Sequence, residues 1–469
     1  MTSQNEPIIL RLIFRPVRGG ALLRWESDVL GVRESRLPAP IPASDMGLIL
    51  RALDALQDPA YPTAWNAVQV RSFSFSPDEQ ALLNAAGLWG TGRVRADAPW
   101  RIGRRLYRAL TADAAGAQAL GTVRDHAAAV GRPVSLELCF PPDATDLAGL
   151  PWELLWDEGP TPVLLGRGAT AACVRRLDLA QALPPPRQAS GPLRILAVSP
   201  RAGVPDEMRQ IERAARAAAW EPLIRRGLAH MEELSPVTRK TLADMIAGER
   251  PPDIIHYYGH GRYSGGEGAL LLDDDGAAAW TPAAALAPLL APAGMVVLHA
   301  CQGAMLGIEG TLSESADMRS AIAPALCAAG VPIVLGMQFT VRAAAASRMA
   351  AVIYQALAEG RSVEEAVAFA RRALYVEEPD RVSWYVPALY LRARSGGPTY
   401  LRPPVAHPAS VPSRPVSPPS QPTGARQSVV ARDGGAISAL RVHGGSGSHQ
   451  AVIAEGGSIS GVELFDNTN

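Results

Sequence analysis

The chain has 469 residues, 48% of them apolar, and its 45 basic and 45 acidic side chains leave no net charge. It exceeds the roughly 250–300 residues at which a single core stops growing, so two or three cores are expected. Basic and acidic residues are interleaved, which excludes the basic stripe of a nucleic-acid binder, and no run of about 18 apolar residues offers a membrane span.

Residues 1–190 read as one α+β unit. Segments 8–14 and 21–25 have strand composition, 46–56 has helical spacing, and 99–120 reads as one amphipathic helix. Val134–Phe140 alternates like a strand. LAGLPWELLWDEG (147–159) is an apolar turn of chain whose Trp152 and Trp156 are expected in the core, and a strand follows over 171–177. The run QALPPPRQASGP (181–192) is a linker.

From residue 191 strands alternate with helices, the signature of a parallel sheet with crossover helices. Expected strands are Leu193–Val198, 221–225, Ile254–Tyr258, 295–298, 332–337 and 385–391. Expected helices are 206–219, 238–248, 281–290, 316–329, Ala343–Ala358 and 362–374, the last opened by a capping box of Ser362 and Glu365. A hairpin is expected over 269–276. This region, 191–394, is the expected catalytic domain. Residues 395–426 are rich in Pro and Ser and serve as a tether. The tail, 427–469, holds a repeat: QSVVARDGGAISALRV (427–442) aligns with QAVIAEGGSISGVELF (450–465). Two copies are too few for an independent solenoid, so these strands are expected to add to another sheet, in this chain or in a partner.

The chemistry gathers at two strand ends. DIIHYYGHG (253–261) and MVVLHACQG (295–303) are short apolar runs that stop abruptly at turn residues. In open α/β sheets ligands collect beyond the carboxyl ends of such strands. A thiol beside an imidazole makes a nucleophile at neutral pH. A lone Cys is more often a small buried hydrophobe. Cys301, however, ends its strand, is followed by Gln-Gly, and stands about 40 residues after a Gly-His-Gly. His260, flanked by glycines past the strand end, has the freedom a general base needs, whereas His256 inside the strand reads as a core histidine. The backbone N–H groups of Gly261 and Cys301 are candidate oxyanion donors. A metal site from His256, His260, His299 and Cys301 is set aside, because HxxxH on a strand does not put two rings on one helix face. No cofactor is expected. The four cysteines, Cys139, Cys173, Cys301 and Cys327, form no CxxC pair, and MTSQNEPIILRLIF lacks the features of a signal peptide. Both point to a reducing, cytoplasmic setting.

The ordered blocks strand–GHG, Leu-Leu-Leu-Asp-Asp, strand–ACQG, AGVPIVLGMQF and RSVEEAVAFARRAL resemble the CHAT domain of caspase- and separase-like cysteine peptidases. LAGLPWELLWD and the following Val174, Arg175 and Arg176 resemble its N-terminal part, so the resemblance runs over roughly 134–391. It implies an α/β fold with a caspase-like, mostly parallel sheet flanked by helices, beside the N-terminal α+β region and the short β-repeat tail. It also implies a His260–Cys301 dyad, Gly261 and Cys301 as oxyanion donors, and a strand through Gln338 and Phe339 flanking the substrate backbone. The position two before the nucleophile, which lines the first specificity pocket in relatives, is His299 and not an acid, so a strict Arg or Lys preference is not implied. The resemblance further implies a dedicated protein substrate in a regulated bacterial defence or cell-death pathway. A sensor or activator bound through the tail is the expected partner, with neither nucleic acid nor membrane. Two rivals stand beside this reading: a catalytically silent signalling or assembly module, and another thiol enzyme acting on a small molecule.

Overall fold

The computed structural model describes residues 7–57, 74–165, 172–179, 191–203, 206–248, 251–264, 266–274, 277–300, 321–378 and 382–392, together with six strands between 427 and 466. Two compact units are present, residues 1–405 and 406–469.

In the first unit the strands, in chain order, are β1 (Ile8–Val17), β2 (Gly20–Ser27), β3 (Gly31–Pro38), β4 (Trp89–Gly90), β5 (Arg93–Val94), β6 (Val134–Phe140), β7 (Ala172–Leu177) and β8 (Leu193–Val198). They continue with β9 (Ala229–Leu234), β10 (Ile254–Tyr258), β11 (Gly261–Ser264), β12 (Glu267–Asp274), β13 (Ala277–Pro282), β14 (Met295–His299), β15 (Ile333–Met337) and β16 (Pro387–Leu391). Eleven of them form one sheet in the order β3-β2-β1-β6-β7-β16-β15-β14-β10-β8-β9. The sheet is α/β and mostly parallel; β2 runs antiparallel to its neighbours β1 and β3, and β16 to β15.

Strands β6, β10, β14, β15 and β16 are buried at every residue, as expected of strands covered on both faces. The edge strand β9 turns His230, Glu232 and Glu233 to solvent. Alternation along the central strands separates two apolar clusters. Ile254, Tyr258, Met295, Val297 and Leu335 pack with Trp220, Leu223, Ile353 and Tyr354 on one face. Ile255, Tyr257, Val296, Leu298 and Val334 pack with Leu242, Leu286, Leu290 and Leu326 on the other. The larger cluster runs from Ile8 to Leu391 across both chain halves, because β7 pairs with β16.

Several local expectations change. The run 99–120 is two helices, Ala98–Leu110 and Ala114–Val130. The break falls at residues 111–113, where the Asp113 side chain accepts from the Ala115 N–H and starts the second helix. Residues 221–225 are the last turns of the helix Asp206–Arg225, not a strand. Trp220 and Leu223 continue its buried face at a spacing of three, and the strand begins at Ala229. Helix Val363–Glu377 opens on the expected box, with Ser362 and Glu365 reciprocally bonded.

In the second unit the six tail strands are β17 (Gln427–Arg432), β18 (Ala436–Ser438), β19 (Arg441–Gly444), β20 (Gln450–Glu455), β21 (Ser458–Ser460) and β22 (Glu463–Asp466). They pair with each other, repeat on repeat, as three parallel ladders: β17 with β20, β18 with β21 and β19 with β22. Within this chain the strands each repeat pairs with are those of the other repeat, so the two repeats form two stacked coils.

Candidate functional site

Parallel strands β10 and β14 are neighbours, with Tyr258 opposite His299 as their last registered pair. The Gly259 N–H donates to the His299 carbonyl at 3.3 Å and carries the ladder one step further. His260 follows two residues past Tyr258, and Ala300 one residue past His299, so these two described positions lie at the same rim of the sheet. Ala300 is buried at that rim; Cys301 lies outside the described residues, as do Glu309, Glu314 and Asp317.

His260 is exposed, and its Nε2 lies 3.0 Å from the Gly203 carbonyl oxygen. A carbonyl only accepts, so Nε2 carries a proton, and in the neutral ring the lone pair is then on Nδ1. Gly203, with φ +74°, follows β8; a Cβ there would stand 2.8 Å from Leu271 Cδ2 and 3.1 Å from the His260 Cδ2. The loop before it is held from the hairpin. Buried Asp273 accepts from the N–H groups of Arg201 (2.9 Å), Ala202 (2.8 Å) and Val237 (2.7 Å). Behind the His loop the Tyr257 hydroxyl donates to the Leu271 carbonyl at 2.7 Å and lies 3.0 Å from that of His260. Gly259 leaves room for it, since a Cβ there would fall 2.6 Å from the Tyr257 hydroxyl. Gly261 begins β11, opposite Leu270 in the three-stranded hairpin sheet β11-β12-β13.

Beneath the rim lies a buried aromatic and imidazole cluster. His256 Nε2 is 3.1 Å from His299 Nδ1, while the Tyr354 and Tyr258 hydroxyls approach His256 Nδ1 at 2.6 and 3.1 Å. Trp220 packs against His256, and Arg216 stacks over Tyr258. Burial lowers the pKa of His256 well below the ordinary range, helped by His299 and Arg216. Burial, with Arg216 behind it, brings that of His299 to about 3. Both rings are neutral at physiological pH. If His256 Nδ1 accepts, its single lone pair takes the closer Tyr354 hydroxyl proton at 2.6 Å; the opposite tautomer leaves that buried hydroxyl without this acceptor. His256 Nε2–H then donates to His299 Nδ1, and His299 carries its proton on Nε2. That nitrogen has no hydrogen-bond partner among the described residues.

Gln338 and Phe339 directly follow β15, and both side chains are buried. The Gln338 side chain accepts from Arg175 at 2.7 Å and donates to Glu153 at 2.9 Å, and its backbone N–H donates to Val386. Glu153 comes from the WELLW turn, and Arg175 from β7 is ion-paired with it in full burial. Burial opposes the charge on Arg175, but Glu153 more than compensates and raises its pKa. Trp152 is buried and donates to the Leu147 carbonyl. Neither the Gly203 carbonyl nor the Asp273 cradle was found by sequence reasoning. The run of three aspartates after Leu272 is the only signal in the sequence, and it reads there as part of a hairpin.

A helix-flanked, mostly parallel sheet with a Gly-His-Gly following β10 beside β14 defines a class of α/β protein. The CHAT domain family model matches residues 101–414, and the chain belongs to the CHAT family, a family of caspase-like peptidases. No curated protein matches the chain. Among solved structures it is similar to the Saccharomyces cerevisiae separase–securin complex. One such structure has a TM-score of 0.44 at 11% identity, and a second has 0.43 at 12%. Each match covers 83% of this chain and 30% of that chain, so the chain spans less than a third of the length of those proteins. Among the described residues no helix is long and apolar enough to cross a membrane.

Proposed function

We propose that the chain is a cysteine endopeptidase in which His260 and Cys301 are the dyad. His260 Nδ1 takes the thiol proton of Cys301, and the thiolate attacks a peptide carbonyl. The N–H groups of Gly261 and Cys301 hold the oxyanion. The proton passes from His260 to the leaving amine, the C–N bond breaks, and water then hydrolyses the thioester to restore the thiol. The observation that carries this reading is the 3.0 Å contact of His260 Nε2 with the Gly203 carbonyl, which fixes the tautomer a general base needs at a strand end beside β14. His299 borders the first specificity pocket as a neutral N–H donor, which favours an uncharged residue before the scissile bond. The substrate is a dedicated protein in a regulated bacterial defence or cell-death response, the setting that the family resemblance implies.

The test is covalent labelling with a peptide-like electrophile and mass mapping on wild type, Cys301→Ala and His260→Ala. Labelling at Cys301 that falls in the His260 variant supports the dyad. A Cys301 that stays unlabelled under denaturant-free conditions, with every other thiol equally silent, supports the non-catalytic assembly module instead.

A further inference from the structure

We infer that the tail is a head-to-tail assembly element whose partner is the tail of a second copy of this chain. Every ladder in the tail has two strands, so each coil is paired on one side only among the described residues. The outer edges of β20, β21 and β22 at one end, and of β17, β18 and β19 at the other, present backbone N–H and C=O groups along an open ladder, the usual template for strand addition. Two coils are fewer than a solenoid needs to be stable alone.

The occupant follows from the register. Within one chain the first coil meets the second with like residues opposite one another: Gln427 with Gln450, Val429 with Val452, Ala431 with Ala454, Ile437 with Ile459 and Ser438 with Ser460. The second coil of one copy can therefore receive the first coil of the next in the pairing the chain already uses internally. Charge fixes the polarity. Arg432 stands opposite Glu455, and Arg441 opposite Glu463. A copy added head to tail repeats both Arg–Glu oppositions. Joining two first coils, or two second coils, by the same edge turns the strands antiparallel, so neither the like-on-like register nor the Arg–Glu oppositions are kept. A parallel, head-to-tail contact is heterologous, so it leaves a free edge after every addition and does not close at two copies. The Pro- and Ser-rich segment 395–426 separates this element from residues 1–394 in the sequence. Stacked tails would thus gather many catalytic units at raised local concentration.

The test uses the full-length chain and a charge-swapped one carrying Arg432→Glu, Arg441→Glu, Glu455→Arg and Glu463→Arg. The swap keeps opposite charges facing each other within a tail and between two swapped tails. A mixed junction faces Arg with Arg, or Glu with Glu. In sedimentation over about a hundredfold range of concentration, both proteins should form species that grow with concentration. Differently labelled wild-type and swapped chains, mixed together, should sort into separate assemblies. A chain lacking residues 427–469 should remain small. The inference is overturned by a wild type that stays monomeric throughout, by free co-assembly of wild type with swap, or by assembly that survives removal of the tail. Assembly only upon adding a different protein overturns it as well, in favour of a heterologous partner.

Discussion

Replacing Asp273 with Asn changes one atom and separates two roles of the hairpin. The carboxylate accepts from the backbone N–H groups of Arg201, Ala202 and Val237. An amide keeps one oxygen, which can still serve Arg201 and Ala202, but it turns an NH2 group against the Val237 N–H. Losing one charge-assisted bond and leaving a buried donor unpaired costs about 2–4 kcal/mol. For residues 1–405, an unfolding entropy of about 2.1 cal/mol/K per residue gives about 0.85 kcal/mol/K, so melting should fall by about 2–5 °C. Arg201 and Ala202 lead directly into Gly203, whose carbonyl holds His260. The rate at which a peptide-like electrophile labels Cys301 should therefore drop by about 10–100-fold, the effect of small misplacements of catalytic groups. Calorimetry and labelling kinetics on the same samples read both effects. A melting point within a degree of wild type would refute the cradle. A lowered melting point with an unchanged labelling rate would refute the link from the cradle to His260.

Gly203→Ala places a Cβ at φ +74°, 2.8 Å from Leu271 Cδ2 and 3.1 Å from His260 Cδ2. The left-handed backbone costs about 1–2 kcal/mol, and Cys301 labelling should slow while far-UV dichroism stays that of wild type. Glu153→Gln leaves the buried Arg175 uncompensated and should lower stability by about 3–5 kcal/mol in urea denaturation. His299, held to about 3 when folded, stays neutral while the unfolded imidazole protonates below about 6.5. The unfolded chain then binds more protons, so stability is intact above pH 6.5 and is lost as the pH falls toward 3. Between pH 7 and 5 the wild type should lose about 2 kcal/mol more than His299→Gln, and equal losses would show that His299 is not neutral in the folded protein.

The parallel half of the sheet could be read from the sequence because fully buried strands advertise themselves as short apolar runs ended by Gly. Ile254–Tyr258 and Met295–His299 lie where such runs predict. His256 has the buried, bonded environment foreseen for it, and Trp152 is in the core. What failed depended on contacts distant in sequence. Residues 221–225 carry strand-like composition, but the buried face begun by the preceding turns extends the helix through them. Nor did the sequence announce that the Gln338 and Phe339 side chains are buried just past β15, Gln338 against an ion pair contributed from far upstream. Nothing local in Gly203 or Asp273 announces that one holds the imidazole and the other holds the loop. The tail repeat was visible at once, but its partner was not, because a periodic pattern does not say whether copies pair with each other or with something else.

The place of β16 in the sheet has a consequence for synthesis. Residues Pro387–Leu391 are the last sheet strand of the first unit to be made, yet they lie between β7 and β15 near its middle. Until they leave the ribosome, the growing protein carries two incomplete sheets with facing open edges, one of them beside β15 and β14. Domains tend to fold from the N-terminus as they emerge, but this one cannot close its centre before Leu391 appears. A nascent chain arrested before Leu391 would hold His260 in a half-built sheet that lacks the central pairing β16 supplies between β15 and β7.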